Sequence, residues 1–407
     1  MNQRVVITGL GIYSTIGLHI SEVLSSLYQG KSGIFFNQSR IDFGYRSGLS
    51  GFVPEPQLKG KLDRRMRIGL AEQGKYAFIA TEEALLQAKM DKEYIENNEV
   101  GILYGNDSSS KAVVESIDTL REKKDTSRIG SGSIFQSMNS TVSMNLSVIY
   151  KLRGINATIS GACASSSHAI GMAYLLIKNG MQDAIICGGA QELNIYAMGS
   201  FDGLGAFSPR NDEPTKASRP FDRDRNGLVP SGGAATLIIE SLESAQKRGA
   251  KILGEIKGYG FSSDGSHISQ PNVDGPARAI AMSLKQSGFS ASDIQYVNAH
   301  ATSTPIGDAN EARAIYKVFG AKIPVSSTKS MTGHEMWMGG ASEMIYSLLM
   351  MNNDFIAPNI NFENPDEHSA LINVISQTKK ISFDRFLSNS FGFGGTNSSL
   401  IVEKFIL

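Results

Sequence analysis

Glu83-Ala84-Leu85-Leu86-Gln87-Ala88-Lys89-Met90, a polar stretch, and then Val100-Gly101-Ile102-Leu103-Tyr104-Gly105-Asn106 read as a helix, a polar turn, a buried strand and a polar loop. The same succession returns at Ala281-Met282-Ser283-Leu284-Lys285-Gln286-Ser287-Gly288-Phe289, followed by Ile294-Gln295-Tyr296-Val297-Asn298-Ala299-His300. Around these segments short β-branched runs alternate with helical patterns: Val5 to Ile7 then Ser21 to Tyr28, Ala184 to Cys187, and Ala235 to Ile239 then Ser241 to Arg248. That rhythm belongs to α/β layers. The recurrence predicts a duplicated core with halves 1–250 and 251–407 and a functional cleft between them. Gly30 to Gln57 and Arg121 to Ser133 lack periodicity and read as surface insertions. Asn211 to Asn226 reads as a long loop whose Asp222-Arg223-Asp224-Arg225 tract makes local ion pairs.

The 407 residues carry 39 basic and 39 acidic side chains, so nothing draws the chain in bulk to nucleic acid. Cys163 and Cys187 are the two cysteines, too few for a disulfide framework or a Cys-rich metal site, and a reducing compartment is the natural setting. Met1-Asn2-Gln3-Arg4-Val5-Val6-Ile7 enters a strand at once without a signal-peptide pattern, and no apolar run reaches the roughly 18 residues of a membrane helix. A cytoplasmic location is the expectation.

Chemistry concentrates first at Ile159-Ser160-Gly161-Ala162-Cys163-Ala164-Ser165-Ser166-Ser167-His168. Gly161 would let the backbone turn sharply before the sulfur, and the helical run from Ala164 to Ile177 would place the thiol at a helix N-terminus, where the macrodipole favours thiolate. The alternative is a buried small hydrophobe, the fate of most free cysteines. Cys187, in the apolar run around Ile185 and Ile186, reads as strand core.

His300 ends a strand ahead of Ala301-Thr302-Ser303-Thr304-Pro305-Ile306-Gly307-Asp308, and His334 follows Lys329-Ser330-Met331-Thr332-Gly333. Strand-to-loop junctions are where α/β proteins place ligands, and two neutral imidazoles aimed at one point can stabilise a developing oxyanion or enolate. A lone loop histidine is more often a cap or solvent-facing; His19, His267 and His368 read as structural, and His168 as packing support. Lys329 and Glu311 could pair and set the local field. The loop Asn389-Ser390-Phe391-Gly392-Phe393-Gly394-Gly395-Thr396-Asn397 can turn backbone N–H groups toward a ligand, with Phe393 as a hinged stopper. It lacks the ending of a phosphate loop.

Together, the Ala-Cys-Ala-Ser-Ser motif at Cys163, Asn-Ala-His-Ala-Thr-Ser-Thr-Pro at His300, Lys-Ser-Met-Thr-Gly-His from Lys329 to His334 and Gly-Phe-Gly-Gly-Thr-Asn at Phe393 resemble the β-ketoacyl-acyl-carrier-protein synthases from end to end. His-Ala-Thr-Ser-Thr-Pro and the Gly232-Gly233 pair look nearest to the type I enzymes of bacterial fatty-acid synthesis. The resemblance implies the thiolase-like fold, two α/β halves stacked in five layers (α-β-α-β-α), usually as a homodimer. It implies an acyltransferase that loads an acyl chain on Cys163 and condenses it with decarboxylating malonyl-carrier protein. His300 and His334 would then stabilise the enolate, the backbone N–H groups of Cys163 and Phe393 the acyl oxyanion, and Lys329 with Glu311 the surrounding field. Thr302 and Thr304 match residues that hold the pantetheine arm, with Phe391 and Gly394 beside them. Lys61, Arg64, Arg65, Arg67, Lys123, Lys124 and Arg128 match regions that dock the acidic acyl carrier protein. No cofactor is required on this reading; Asn298, Glu343 and Ser388 match positions that enclose a monovalent cation in some relatives.

The chain also departs from the pattern. Glu335-Met336-Trp337-Met338-Gly339-Gly340-Ala341 replaces a run of small residues, and its one tryptophan could narrow a channel, lie on a helix surface or meet a partner subunit. Asp107 in Gly105-Asn106-Asp107-Ser108-Ser109-Ser110 puts a carboxylate near the acyl path, costly unless exposed or paired. Leu228-Val229-Pro230 stands where an aromatic-containing pattern is usual. Two alternatives to a fatty-acid enzyme therefore stand: a specialised polyene or polyketide ketosynthase, and a non-catalytic chain-length partner of a heterodimer. Thiolase-type cleavage would need a second acid/base cysteine, which Cys187 does not supply.

Overall fold

The computed structural model describes residues 3–406, so the first two residues of the N-terminal reading, Met1 and Asn2, lie outside the described residues. Eleven strands run through one continuous sheet: β1 Val5–Ser14, β2 Val100–Gly105, β3 Asn156–Ile159, β4 Ala184–Gln191, β5 Gly233–Ser241, β6 Gly254–Ser263, β7 Tyr296–Asn298, β8 Pro324–Ser326, β9 Asn373–Val374, β10 Arg385–Gly392 and β11 Thr396–Glu403. In the first half β3, β2 and β4 are parallel, and β5 and β1 follow antiparallel. In the second half β8, β7 and β10 are parallel, and β11 and β6 follow antiparallel, with β9 added outside β8. The order of connection is identical in the two halves. They meet where Val5–Ile7 of β1 pairs antiparallel with Gly254–Ile256 of β6. The recurring segments of the sequence occupy equivalent places, ending in β2 and β7.

Helices complete the layers. Helix α1 (Glu72–Ala88) covers the outer face of the first half against β1, β5 and β4. Helices α2 (Ser165–Lys178) and α4 (Gly339–Asn352) pack on each other between the halves, and α3 (Asp274–Ser287) covers the far face on β6 and β11. This is the five-layered α-β-α-β-α arrangement of a thiolase-like fold. A helix in the middle layer is enclosed on all sides, and Gly339 through Met351 are buried without an exposed face. The outer contacts repeat with the duplication. A Cβ at Gly9 or Gly11 would come within 2.3 or 1.9 Å of Ala84 and Ala80 carbonyl oxygens on α1, and one at Gly258 or Gly260 within 2.3 or 1.9 Å of Ser283 and Ala279 oxygens on α3. Glycines at matched positions of β1 and β6 let each outer helix lie directly on its strand.

One reading of a loop changes and another is extended. Residues 30–57 are no simple surface insertion: Ile34–Phe36 pairs with Leu49–Gly51, and Tyr45 is buried against the centre of the molecule. The Asp222–Arg225 tract makes the expected local ion pairs, Asp222 with Arg219 at 2.9 Å and Asp224 with Arg223 at 3.5 Å, and also reaches outward. Asp222 accepts from the backbone N–H of Glu363 and Asn364, while Arg225 reaches Asp366 and the Thr304 and Pro305 carbonyls. No helix among the described residues is long and apolar enough to cross a membrane.

Candidate active site

Cys163 stands just ahead of α2, two residues past Gly161, but the turn falls elsewhere than expected. Ala162 takes φ +46°, in the left-handed region, while Gly161 does not. Gly161 instead leaves room for the His168 ring, 3.3 Å from where its Cβ would be. A non-glycine residue in that conformation carries strain, and Ala162 is held there by its N–H, which donates to an Asp107 carboxylate oxygen at 3.1 Å. Asp107 is thus paired. Gly105, Gly189 and Gly340 admit the start of α2: a Cβ on each would lie within 2.4 to 2.6 Å of Ser166 or Ser167 atoms.

The thiol is buried and its Sγ lies 3.1 Å from His334 Nε2. Burial pushes the thiol up to about 12, against the lowering effect of Lys329 and of the Cys163 and Phe393 backbone N–H groups; the Asp107 charge adds to the rise. The helix N-terminus therefore does not yield a resting thiolate. His334 and His300 are both pushed well below the usual imidazole range, by burial first and then by Lys329, so the pair is neutral. Their rings meet edge to face at 5.4 Å, with Phe391 at 5.9 Å from His300. The His334 backbone is tied into Val229 and Ser231 by hydrogen bonds of 2.7 and 2.9 Å.

Lys329 and Glu311 both sit beside the histidines, but they are not hydrogen-bonded to each other. The Lys329 ammonium bonds the Glu343 carboxylate, both fully buried. Glu311 instead accepts from the backbone N–H of His300 and Ala301 at 2.9 and 2.6 Å and from the Asn389 amide at 3.1 Å, so it shapes the histidine loop. Burial pushes the Glu311 carboxyl up to about 7. Sequence separation cannot choose between two buried carboxylates for one lysine; the packing of α4 beside Lys329 does.

A cavity of about 460 Å³ opens onto the sulfur and is lined by Cys163, His300, His334, Thr302, Thr304, Phe391 and Phe393 among others. Asp308 holds its rim, accepting from the backbone N–H of Thr302, Ser303, Thr304 and Phe221. That residue was not singled out from sequence; its place in the first turn of the helix Pro305–Phe319 was the available signal. Phe393 is partly exposed and stacks on Phe201 at 5.6 Å, while its N–H faces the sulfur. Gly394 does not line the cavity: at φ +77° it makes the turn, and its N–H donates to the Ile268 carbonyl.

The remaining sequence candidates lie away from the sulfur. Lys61, Arg64 and Arg65 are exposed and Arg67 is half-buried; Lys123, Lys124 and Arg128 are exposed, and none lines the cavity. The helix Ser133–Ser137 packs against both the helix Arg64–Gly69 and the helix Lys111–Lys123, so the two basic runs flank one surface. Asn298 and Ser388 are register partners on β7 and β10. Both polar atoms of the Asn298 amide and one Glu343 oxygen are buried without a partner. Of these, Asn298 Oδ1 and Glu343 Oε2 are oxygens of the kind that ligate a monovalent cation, and the amide Nδ2 is not. Trp337 is neither on a helix surface nor exposed: it shares an apolar cluster with Cys163, Tyr45, Phe207, Leu228 and Met336. Cys187 lies in β4, fully buried. His168 bridges the halves, its ring nitrogens 2.7 Å from the Tyr259 hydroxyl and 2.8 Å from Thr396 Oγ1.

A thiolase-like fold with a cysteine, two neutral histidines and backbone N–H groups converging on the sulfur defines a condensing acyltransferase. Residues 2–245 match the β-ketoacyl synthase N-terminal domain and residues 253–363 its C-terminal domain. The chain is 42% identical over 406 residues to 3-oxoacyl-[acyl-carrier-protein] synthase 1 of Escherichia coli K12, covering 99% of each. Among solved structures, a β-ketoacyl synthase from Burkholderia phymatum superposes with TM-score 0.95 at 36% identity, covering 99% of this chain and 100% of that one. A type II polyketide ketosynthase in complex with its acyl carrier protein superposes with TM-score 0.88 at 29% identity, covering the whole of both chains. The chain belongs to the β-ketoacyl synthase family.

Proposed function

We propose that the protein is a 3-oxoacyl-[acyl-carrier-protein] synthase that extends acyl chains by decarboxylative condensation. The observation that carries this is the 3.1 Å approach of His334 Nε2 to Cys163 Sγ, with neutral His300 beside it. Cys163 attacks the thioester carbonyl of an acyl-carrier protein; the S–acyl bond forms, and the carrier thiol leaves with the proton. Malonyl-carrier protein then occupies the cavity, with Thr302 and Thr304 placed to hold its pantetheine arm. The C–CO₂ bond breaks, carbon dioxide departs, and its electron pair becomes the enolate, which accepts hydrogen bonds from His300 and His334. The enolate carbon attacks the acyl-cysteine carbonyl. Charge moves to that oxygen, toward the Cys163 and Phe393 N–H groups, and collapse expels the Cys163 thiolate, which takes up a proton from solvent because its own left with the first carrier thiol. Two imidazoles held neutral by burial donate hydrogen bonds without being acids strong enough to quench the carbanion.

Lys329, held in place by Glu343, keeps a positive charge beside the sulfur that stabilises the negative charges in turn. No organic cofactor enters this scheme. A monovalent cation held by Asn298, Glu343 and Ser388 would steady the lysine's partner. The partner is an acidic acyl carrier protein, docked through Lys61, Arg64, Arg65, Arg67, Lys123, Lys124 and Arg128. A homodimer is supported by an apolar face left open on neighbouring helices, where Val113, Ile117, Leu120, Ile134 and Phe135 are exposed. The complete cysteine and histidine set favours an active subunit over a non-catalytic partner, and the cytoplasm suits a buried free thiol.

The test is mass spectrometry of the protein after incubation with acyl-carrier protein, alongside carbon dioxide release from malonyl-carrier protein. An acyl adduct on Cys163, absent in Cys163→Ala, is expected. No adduct under conditions that load a known ketosynthase would overturn the reading.

A further inference from the structure

Cys163 lines a cavity with His300 and His334, through which a pantetheine arm would enter, and also belongs to an apolar cluster with Tyr45, Phe207, Leu228, Met336 and Trp337, against which Ala162, Met198 and Phe201 pack; Phe201 and Leu228 line the cavity too, so the cluster adjoins it. An acyl chain bound to Sγ, with its carbonyl oxygen at the Cys163 and Phe393 N–H groups, must leave the cavity free for the second carrier. Its tail therefore enters the cluster. Trp337 forms that wall from a short 3₁₀ turn, Met336–Met338, whose Met336 takes φ +46°. The Trp337 carbonyl is set against Gly189 of β4, so the turn has no room to retreat: a Cβ there would be 2.7 Å from it.

Two features of this wall concern what it can accept. The Trp337 side chain is over nine-tenths buried, yet its Nε1–H has no hydrogen-bond partner. A buried unpaired donor is costly, and a substrate that offers it electron density recovers part of that cost. The wall is also built of flat rings: Phe201 and Phe207 lie parallel within 3° of each other, with Tyr45 and the indole in the same cluster. A saturated chain between such surfaces must freeze many rotors, whereas a conjugated chain is already flat and rigid and offers a π face to the indole N–H. Leu228 and Trp337 belong to one cluster, so the two departures noted in the sequence act on the same space.

We propose that Trp337 is the specificity-determining residue of the acyl site and selects flat, conjugated polyunsaturated chains over saturated chains of equal length. This rests on the ketosynthase reading above. The test is kcat/KM for extension of an all-trans octatrienoyl chain and of octanoyl, each on acyl carrier protein, by the wild type, Trp337→Phe and Trp337→Ala. The wild type is expected to favour the triene by about tenfold or more, the discrimination that one well-fitted pocket contact provides. Trp337→Phe keeps an aromatic face without the donor and lowers the preference several-fold; Trp337→Ala removes it and speeds octanoyl extension. Equal wild-type rates on the two chains would overturn the proposal alone, as would an unchanged preference in both variants. Failure of the wild type to extend either chain would overturn the ketosynthase reading and this proposal with it.

Discussion

Asp107 shows how one side chain can serve the nucleophile without touching substrate. Its carboxylate anchors the N–H of Ala162, the residue that carries the strained turn into Cys163, and its charge raises the thiol. Asp107→Asn keeps an acceptor and removes the charge, so Cys163 should titrate lower, with iodoacetamide labelling setting in at lower pH than in the wild type. Asp107→Ala loses the anchor as well, and condensation should fall by about tenfold or more through misplacement of the sulfur. A labelling profile unchanged in Asp107→Asn would show that the charge does not reach the thiol. Lys329→Ala leaves Glu343 buried without its cation and removes the charge that favours thiolate and enolate. We expect a loss of 3–5 kcal/mol in stability, as for other broken buried ion pairs, measured by chemical denaturation.

At the scale of elements, α2 joins the two halves as well as carrying the cysteine. His168 at the end of its first turn hydrogen-bonds Tyr259 of β6 and Thr396 of β11, and burial lowers it from 6.5 to about 4. The neutral ring is the one the fold accepts, while the unfolded chain protonates near 6.5, so stability is lost as pH falls from 6.5 toward 4. At about 1.36 kcal/mol per unit the loss is on the order of 3 kcal/mol. His168→Gln should lack that part of the acid sensitivity, seen as a shallower fall of the urea midpoint between those pH values. The outer layers offer a second test. Gly260→Ala would press a methyl to within 1.9 Å of the Ala279 carbonyl and should cost about 3 kcal/mol or more, by forcing α3 off its sheet.

For the whole molecule, the duplicated halves leave β3 as the outer strand of the first half, at one edge of the sheet, and an apolar helix face exposed. Sedimentation should therefore give about twice the 43.9 kDa of one chain, and Ile117→Glu with Phe135→Glu should shift it toward a single chain. A wild-type mass of 43.9 kDa would remove the homodimer from the functional scheme.

Cys163, His300, His334 and the Phe393 loop were legible in the chain because each sits in a local motif at a strand-to-loop or loop-to-helix junction, where short-range chemistry is explicit. The α/β duplication was legible for the same reason, in the order helix, turn, strand and loop. Partnership across long separations was not. Lys329 chose Glu343 over Glu311 only because α4 runs through the middle layer, and Glu311 was left to hold the His300 loop. The turn moved from Gly161 to Ala162 because Asp107, far away in sequence, supplies the acceptor that steadies it. Tyr45 reached the sulfur's apolar side from a segment with no periodicity. The thiol's protonation depended on burial, which outweighs the helix N-terminus. Sequence alone determined which groups are present and what chemistry they can perform; tertiary structure decided which of them share a site, because burial and long-range packing set distance, charge and protonation together.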